Sequence, residues 1–92
     1  MDFNIKEKRK RIEEKYPFLK DRFVMIDGIP GYVDDCKMSN WIDSHKNTKA
    51  HLNHICGSTM MMVARDKIVY HFVDIYNFIQ ELEKSDVIES YK

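Results

Sequence analysis

Five residues with metal-ligand or nucleophile chemistry fall within one short segment: Cys36, His45, His51, His54 and Cys56. A structural zinc site takes four such donors. The spacing, however, contains no Cys-x-x-Cys pair. A helix through this region turns about 100° per residue, so His51 and His54 share a face while Cys56 points about 160° from His54. The pattern reads as a core Cys56 with surface histidines, and neither a metal nor another cofactor is expected. Cys36, His51, His54 and Cys56 are the residues a metal would have to use. A Cys–His pair is also the start of a nucleophilic site, and Asp34-Asp35 is a carboxylate pair. Neighbours on a strand point to opposite faces, which separates those two carboxylates. There is no Gly-x-Ser-x-Gly, no phosphate-cradling glycine loop and no His-Glu-x-x-His. A 92-residue chain leaves little room for a walled cleft. The expectation is a protein without catalysis of its own.

Nucleic-acid chemistry has more material. The run from Lys6 to Lys15 holds Lys8, Arg9 and Arg11, able to sit on phosphates. Glu7, Glu13 and Glu14 interrupt it, as on a solvated helix face. Further on, Lys46, Asn47, Lys49, Asn53 and His54 fall around a second candidate helix. Asparagine pairs bidentately with adenine, and lysine contacts guanine or phosphate. Arg65 and Lys67 flank a candidate hairpin tip, where they would hold the backbone.

The elements that must position these residues follow from periodicity. Residues 4–15 read as a helix capped by Asn4, with Ile5, Ile12, Tyr16 and Leu19 as its apolar stripe. Pro17 ends it near Lys15. Residues 1–22 thus form a basic helix and connector, and 23–92 an α+β body, in a single small domain. Phe23 to Ile26 is a strand, Asp27-Gly28-Ile29-Pro30-Gly31 a turn, and Tyr32-Val33 the return strand. Met38, Trp41 and Ile42 mark a short helix over 38–45. Asn47 or Thr48 caps another through Cys56, with Leu52, Ile55 and Cys56 inward and Lys49, Ala50, Asn53 and His54 outward. Thr59–Ala64 and Ile68–Phe72 form a second hairpin. Asp74 then caps a helix whose stripe is Ile75, Phe78, Ile79 and Leu82. The order is helix, hairpin, two short helices, hairpin, helix.

Composition narrows the class. Lys plus Arg and Asp plus Glu each number 15, so the formal charge is zero, and 43% of residues are apolar. That excludes a disordered chain and a strongly basic coat protein. The charge is blocky: residues 1–22 carry net +3, 23–36 net −3, 37–71 net +3 and 72–92 net −3. The longest apolar run, Met60 to Ala64, is far short of a membrane span. The amino terminus has no signal-like stretch. With two cysteines read as reduced thiols, a cytoplasmic protein is expected. Met60, Met61 and Met62 read as a strand covered on both faces, or as an adaptable protein-contact surface.

Gly31-Tyr32-Val33-Asp34-Asp35, then Asn40-Trp41-Ile42, then Asn47-Thr48-Lys49 and Leu52, resemble the KilA-N and APSES type of viral and fungal DNA-binding domain. The likeness spans residues 28–55, about a third of the chain. It departs where the family has Asn-Ala-Thr after the Tyr-Val. The resemblance implies a winged-helix-like fold and DNA binding. In that reading the protein is a small regulator of phage or mobile-element type, with helix 48–56 in the groove and a homodimer as a fitting state. The rival reading is a protein-binding inhibitor or modulator of a larger host-defence or nucleic-acid-processing enzyme, in keeping with the neutral charge and acidic carboxy-terminal helix. The two separate experimentally. A DNA reader loses affinity and salt slope on Lys49→Ala or Arg65→Ala at unchanged melting temperature. A protein-binding module is indifferent to both and sensitive to an exposed methionine or aromatic.

Overall fold

The computed structural model describes residues 4–55, 61–64 and 67–89. The chain is α+β: the described residues form four α-helices and a four-stranded antiparallel sheet. Among the described residues no helix is long and apolar enough to cross a membrane.

Helix α1 spans Ile5–Lys15 and stops where Pro17 requires it. Tyr16, denied the α conformation by the following proline, sits at φ −126°, ψ 76°. The start differs from expectation. Asn4 makes no side-chain cap; it adopts left-handed backbone at φ 43° and offers its carbonyl to the Lys8 amide at 3.1 Å. Asparagine is among the few residues that tolerate this region. A 3₁₀ turn, Pro17–Arg22, leads into strand β1, Phe23–Ile26.

Strand β2 is Ile29–Val33, so the turn is shorter than the sequence suggests. Only Asp27 and Gly28 lie outside the strands, both at positive φ (51° and 82°), as a two-residue hairpin of type I′ demands. Ile29, Pro30 and Gly31 belong to β2. Pro30 stands opposite Met25, one step from the pair that closes the turn. Alternation in an antiparallel ladder makes that step a non-hydrogen-bonded pair, so no bond to β1 is lost.

Helix α2 covers Cys36–Asp43, two residues ahead of the expected start. The apolar period begins at Met38, but the cap lies three residues earlier: Asp35 accepts from the Met38 amide at 3.0 Å. Arg22 grips the same carboxylate with Nε at 2.9 Å and Nη2 at 2.9 Å. Asp34 accepts from Ser39 Oγ at 2.8 Å. Both carboxylates thus serve the helix start. Helix α3, Lys49–His54, is capped by Thr48, whose Oγ1 accepts from the His51 amide at 3.1 Å.

Strands β3 (Met61–Ala64) and β4 (Lys67–His71) form the second hairpin. Helix α4, Phe72–Glu89, follows His71 with no intervening residue, so it begins ahead of the expected Asp74. The strand order is β1-β2-β4-β3. Val33 pairs with Val69 and Gly31 with His71, which joins the two hairpins into one sheet. The second hairpin is thus part of the same sheet as the first.

Register divides the sheet into two faces. Phe23, Tyr32 and Tyr70 are in line across β1, β2 and β4 and meet the helices. Tyr32 joins Ile12, Leu19, Met38, Ile42, Ala50, Phe72, Ile75, Phe78, Ile79 and Leu82 in the core. The expected stripes of α1 and α4 are therefore the buried ones. Burying each such side chain contributes about 1.5–3 kcal/mol.

A polar group is built into this core. Glu13 is only 5% exposed. Arg9 grips it with Nε at 2.9 Å and Nη2 at 3.2 Å, and Tyr32 donates its hydroxyl at 2.8 Å. The Arg9 guanidinium lies 3.7 Å from the centre of the Phe23 ring. Burial, then the bond to Glu13, pushes the Tyr32 hydroxyl far above its ordinary value of 10.0. Tyr32→Phe should cost about 1–3 kcal/mol by depriving a buried carboxylate of a donor, read by urea unfolding. The raised folded-state value makes this stabilisation complete below pH 10.0 and lost above it. The gap between wild type and variant should therefore narrow as pH rises past that point.

Candidate functional site

The residues expected to read DNA do not share one surface. Helix α3 rests on α4. Its buried side is Ala50 and His51, and its exposed side is Lys49, Leu52 and Asn53. Lys49 and Asn53 are outward as expected, but two positions depart from the expected phase: Leu52 is open to solvent and Ala50 is fully buried. Six residues are too few for periodicity to fix a phase. The small Ala50 permits close approach to α4, and the His51 ring meets the Phe78 ring with centroids 6.5 Å apart. Ile55 packs partly against the core, and Cys56 lies outside the described residues.

Two of the expected base readers are held by an acidic residue. Asn53 Nδ2 donates to Glu81 at 3.1 Å, and His54 Nε2 lies 2.8 Å from the other Glu81 oxygen. The bond from His54, the largest effect, holds the Glu81 carboxyl below its usual range against an opposing effect of burial, and Asn53 adds a smaller lowering. A carboxylate at this position also repels a phosphate backbone. Lys46, Asn47 and Lys49 are exposed around the α2–α3 turn. Lys67 lines a groove with Val24, Val33 and Val69 on the sheet face away from the core, while α3 lies on the helical side. Arg65 falls outside the described residues.

The amino-terminal basic residues are engaged as well. Lys8 stands 4.9 Å from the centre of the Tyr76 ring, Arg9 grips Glu13, and Arg11 reaches Glu83 at 3.5 Å beside Lys15 at 2.8 Å. The basic block 1–22 and the acidic block 72–92 therefore meet along α1 and α4.

The histidines and Cys36 are dispersed among the described residues. Cys36 is exposed at the start of α2. His45 and Trp41 pack edge-on against Phe78 at 6.1 and 5.2 Å. The described residues hold no group of three ligand-type side chains. His51 Nδ1 and Trp41 Nε1 are buried without a hydrogen-bond partner among the described residues.

What the sequence reading missed is apolar. Met25, Ile29 and Val73 are 58%, 42% and 43% exposed, and all three line one open cleft of about 340 Å³ at the tip of the first hairpin. Ile5, Pro30 and Phe72 complete its wall. Scattered exposed apolar residues are ordinary; these three are gathered in one cleft. The signal was in β1: Phe23-Val24-Met25-Ile26 contains no polar residue, the pattern of a strand with both faces covered. Met60 lies outside the described residues, and the side chains of Met61 and Met62 are not described.

Comparison of the chain with protein families, curated proteins and solved structures gives no match.

The Glu81 cluster has a direct test. By NMR its carboxyl should titrate below the ordinary 4.5, and His54→Ala should return it toward that value. A depressed folded-state value means the cluster's stabilisation is present above pH 4.5 and fades as pH falls through the folded value.

Proposed function

We propose that this protein is a protein-binding module without catalysis of its own, modulating a larger partner by occupying its surface. The observation that carries the reading is the hairpin-tip cleft, where Met25, Ile29 and Val73 stand exposed together. Methionine adapts its shape to a partner, and the rigid hairpin and the start of α4 pre-arrange the flanking walls. A few anchors in such a pocket supply most of the energy of a protein contact. The neutral charge and the engagement of Asn53, His54, Arg9 and Arg11 by carboxylates weigh against a phosphate-binding surface.

DNA binding is the second reading, and the exposed trio Lys46, Asn47 and Lys49 favours it. A photocrosslinking residue in place of Met25, used in the cells the protein comes from, separates the two. A specific protein adduct is expected. Val73→Lys should abolish it, and the Lys46→Ala, Lys49→Ala double variant should leave it intact, all at unchanged melting temperature. An adduct that survives Val73→Lys, or crosslinking to nucleic acid instead of protein, contradicts the proposal.

A further inference from the structure

The sheet face opposite the helices carries a second, independent observation. Register places Val24 and Ile26 of β1, Gly31 and Val33 of β2, and Val69 of β4 on that side. Val69 is buried, 1% exposed, and Gly31 is buried beside it, whereas Val24, Ile26 and Val33 are half-buried and stand outside the core cluster that the helices cover. Val24, Ile26, Val33 and Val69 line an open groove of about 550 Å³. Strands that read apolar on both faces are expected to be covered on both, yet the core cluster covers one.

Two charges flank the groove, Asp27 and Lys67. Both are exposed, and neither has an ion-pair partner among the described residues. Their positions are diagonal. Asp27 lies in the turn at the end of β1, whereas Lys67 begins β4, beyond the Val33–Val69 pair at the other end of the sheet. The face thus has an apolar middle, an acid at one corner and a base at the opposite corner.

Such a face is complementary to itself. A two-fold axis lying in the contact plane, along the other diagonal, brings each Asp27 onto the Lys67 of a second copy. The contact forms twice, as an isologous interface requires. Val24, Ile26 and Val33 meet across the middle, and the strands of the two copies cross near a right angle, one of the two standard ways in which sheets stack. We propose that this face is the self-association surface of the protein, its occupant a second copy of the chain. Across β1, β2 and β4 the face measures roughly 14 by 17 Å in plan, from strand spacing and rise. That is below the ~800 Å² per partner of a standard interface, so the dimer is weak and concentration-dependent.

Sedimentation velocity from about 10 µM to 1 mM tests this, spanning the range of weak association. The wild type should shift from monomer to dimer. Lys67→Glu and Asp27→Lys should each stay monomeric, since each sets like charges against one another. An equimolar mixture of those two variants should dimerise, because every corner then joins an acid to a base. Asp27 sits at positive φ, where lysine is less at ease, so Val24→Lys, which puts a charge in the apolar middle, serves as a second disrupting variant. Circular dichroism melts confirm that each variant is folded. A wild type that stays monomeric at 1 mM overturns the proposal and leaves the face to a different protein. Dimerisation of Lys67→Glu at the wild-type concentration overturns it equally.

Discussion

The Glu13 carboxylate, buried between Arg9 and the Tyr32 hydroxyl, determines how the rest of the chain is arranged. A buried carboxylate is tolerated only where its partners are in place. This one has a guanidinium fork from its own helix and a donor from the middle of β2. The pairing locks α1 to the tyrosine side of the sheet. Helix α4 is placed on that side by a second constraint: it follows β4 without a linker, and its Phe72 ring lies 5.9 Å from Tyr32. Once both long helices share one face, α3 can reach the core only by resting on α4. On the opposite face of the sheet Val69 is buried, while Val24, Ile26 and Val33 stay half-exposed outside the core cluster.

The same arrangement disposes of the charge blocks. The first basic block meets the last acidic block where Arg11 and Lys15 reach Glu83. It meets the first acidic block where Arg22 grips Asp35. The second basic block meets the last acidic one at His54 and Glu81. Pairs as exposed as these add little stability individually. Their consequence is electrostatic: positive charge that could have formed a continuous stripe is neutralised along the contacts between elements. Lys46 and Lys49 remain exposed, with Asn47 beside them.

Much of the architecture was legible from local signals. The proline after Tyr16 marked the end of α1, and the Ile75, Phe78, Ile79 and Leu82 period marked the buried stripe of α4. The four residues of β1 were readable from their β-branched and aromatic content. Helix starts were harder, because caps lie ahead of the apolar period: Asp35 begins α2 three residues before Met38. The turn was read too long because Pro30 suggests a loop, whereas ladder alternation lets it sit in a strand. The joining of two hairpins through β2 and β4 left no local trace, being decided by which strands find each other. The candidate site suffered most from this limit. Asn53 and His54 look like free groove readers in sequence, and only the approach of α4 brings Glu81 to them. The apolar cleft was visible only as a strand with no polar residue, and locating it required knowing that the helices cover one face.

Arg9, Arg11, Lys15 and Arg22 are spent on internal partners, and in the proposed function apolar surfaces, not the lysines that stay exposed, make the protein's contacts. Titration of a labelled mixed-sequence DNA duplex with the wild-type protein, followed by fluorescence anisotropy at about 50 mM salt, tests this most directly, because even nonspecific DNA binders associate strongly at low salt. No saturable rise is expected up to about 100 µM protein, a concentration at the weak end of nonspecific affinities. A saturable rise that collapses between about 50 and 200 mM salt would contradict it, since several phosphate contacts would then be required.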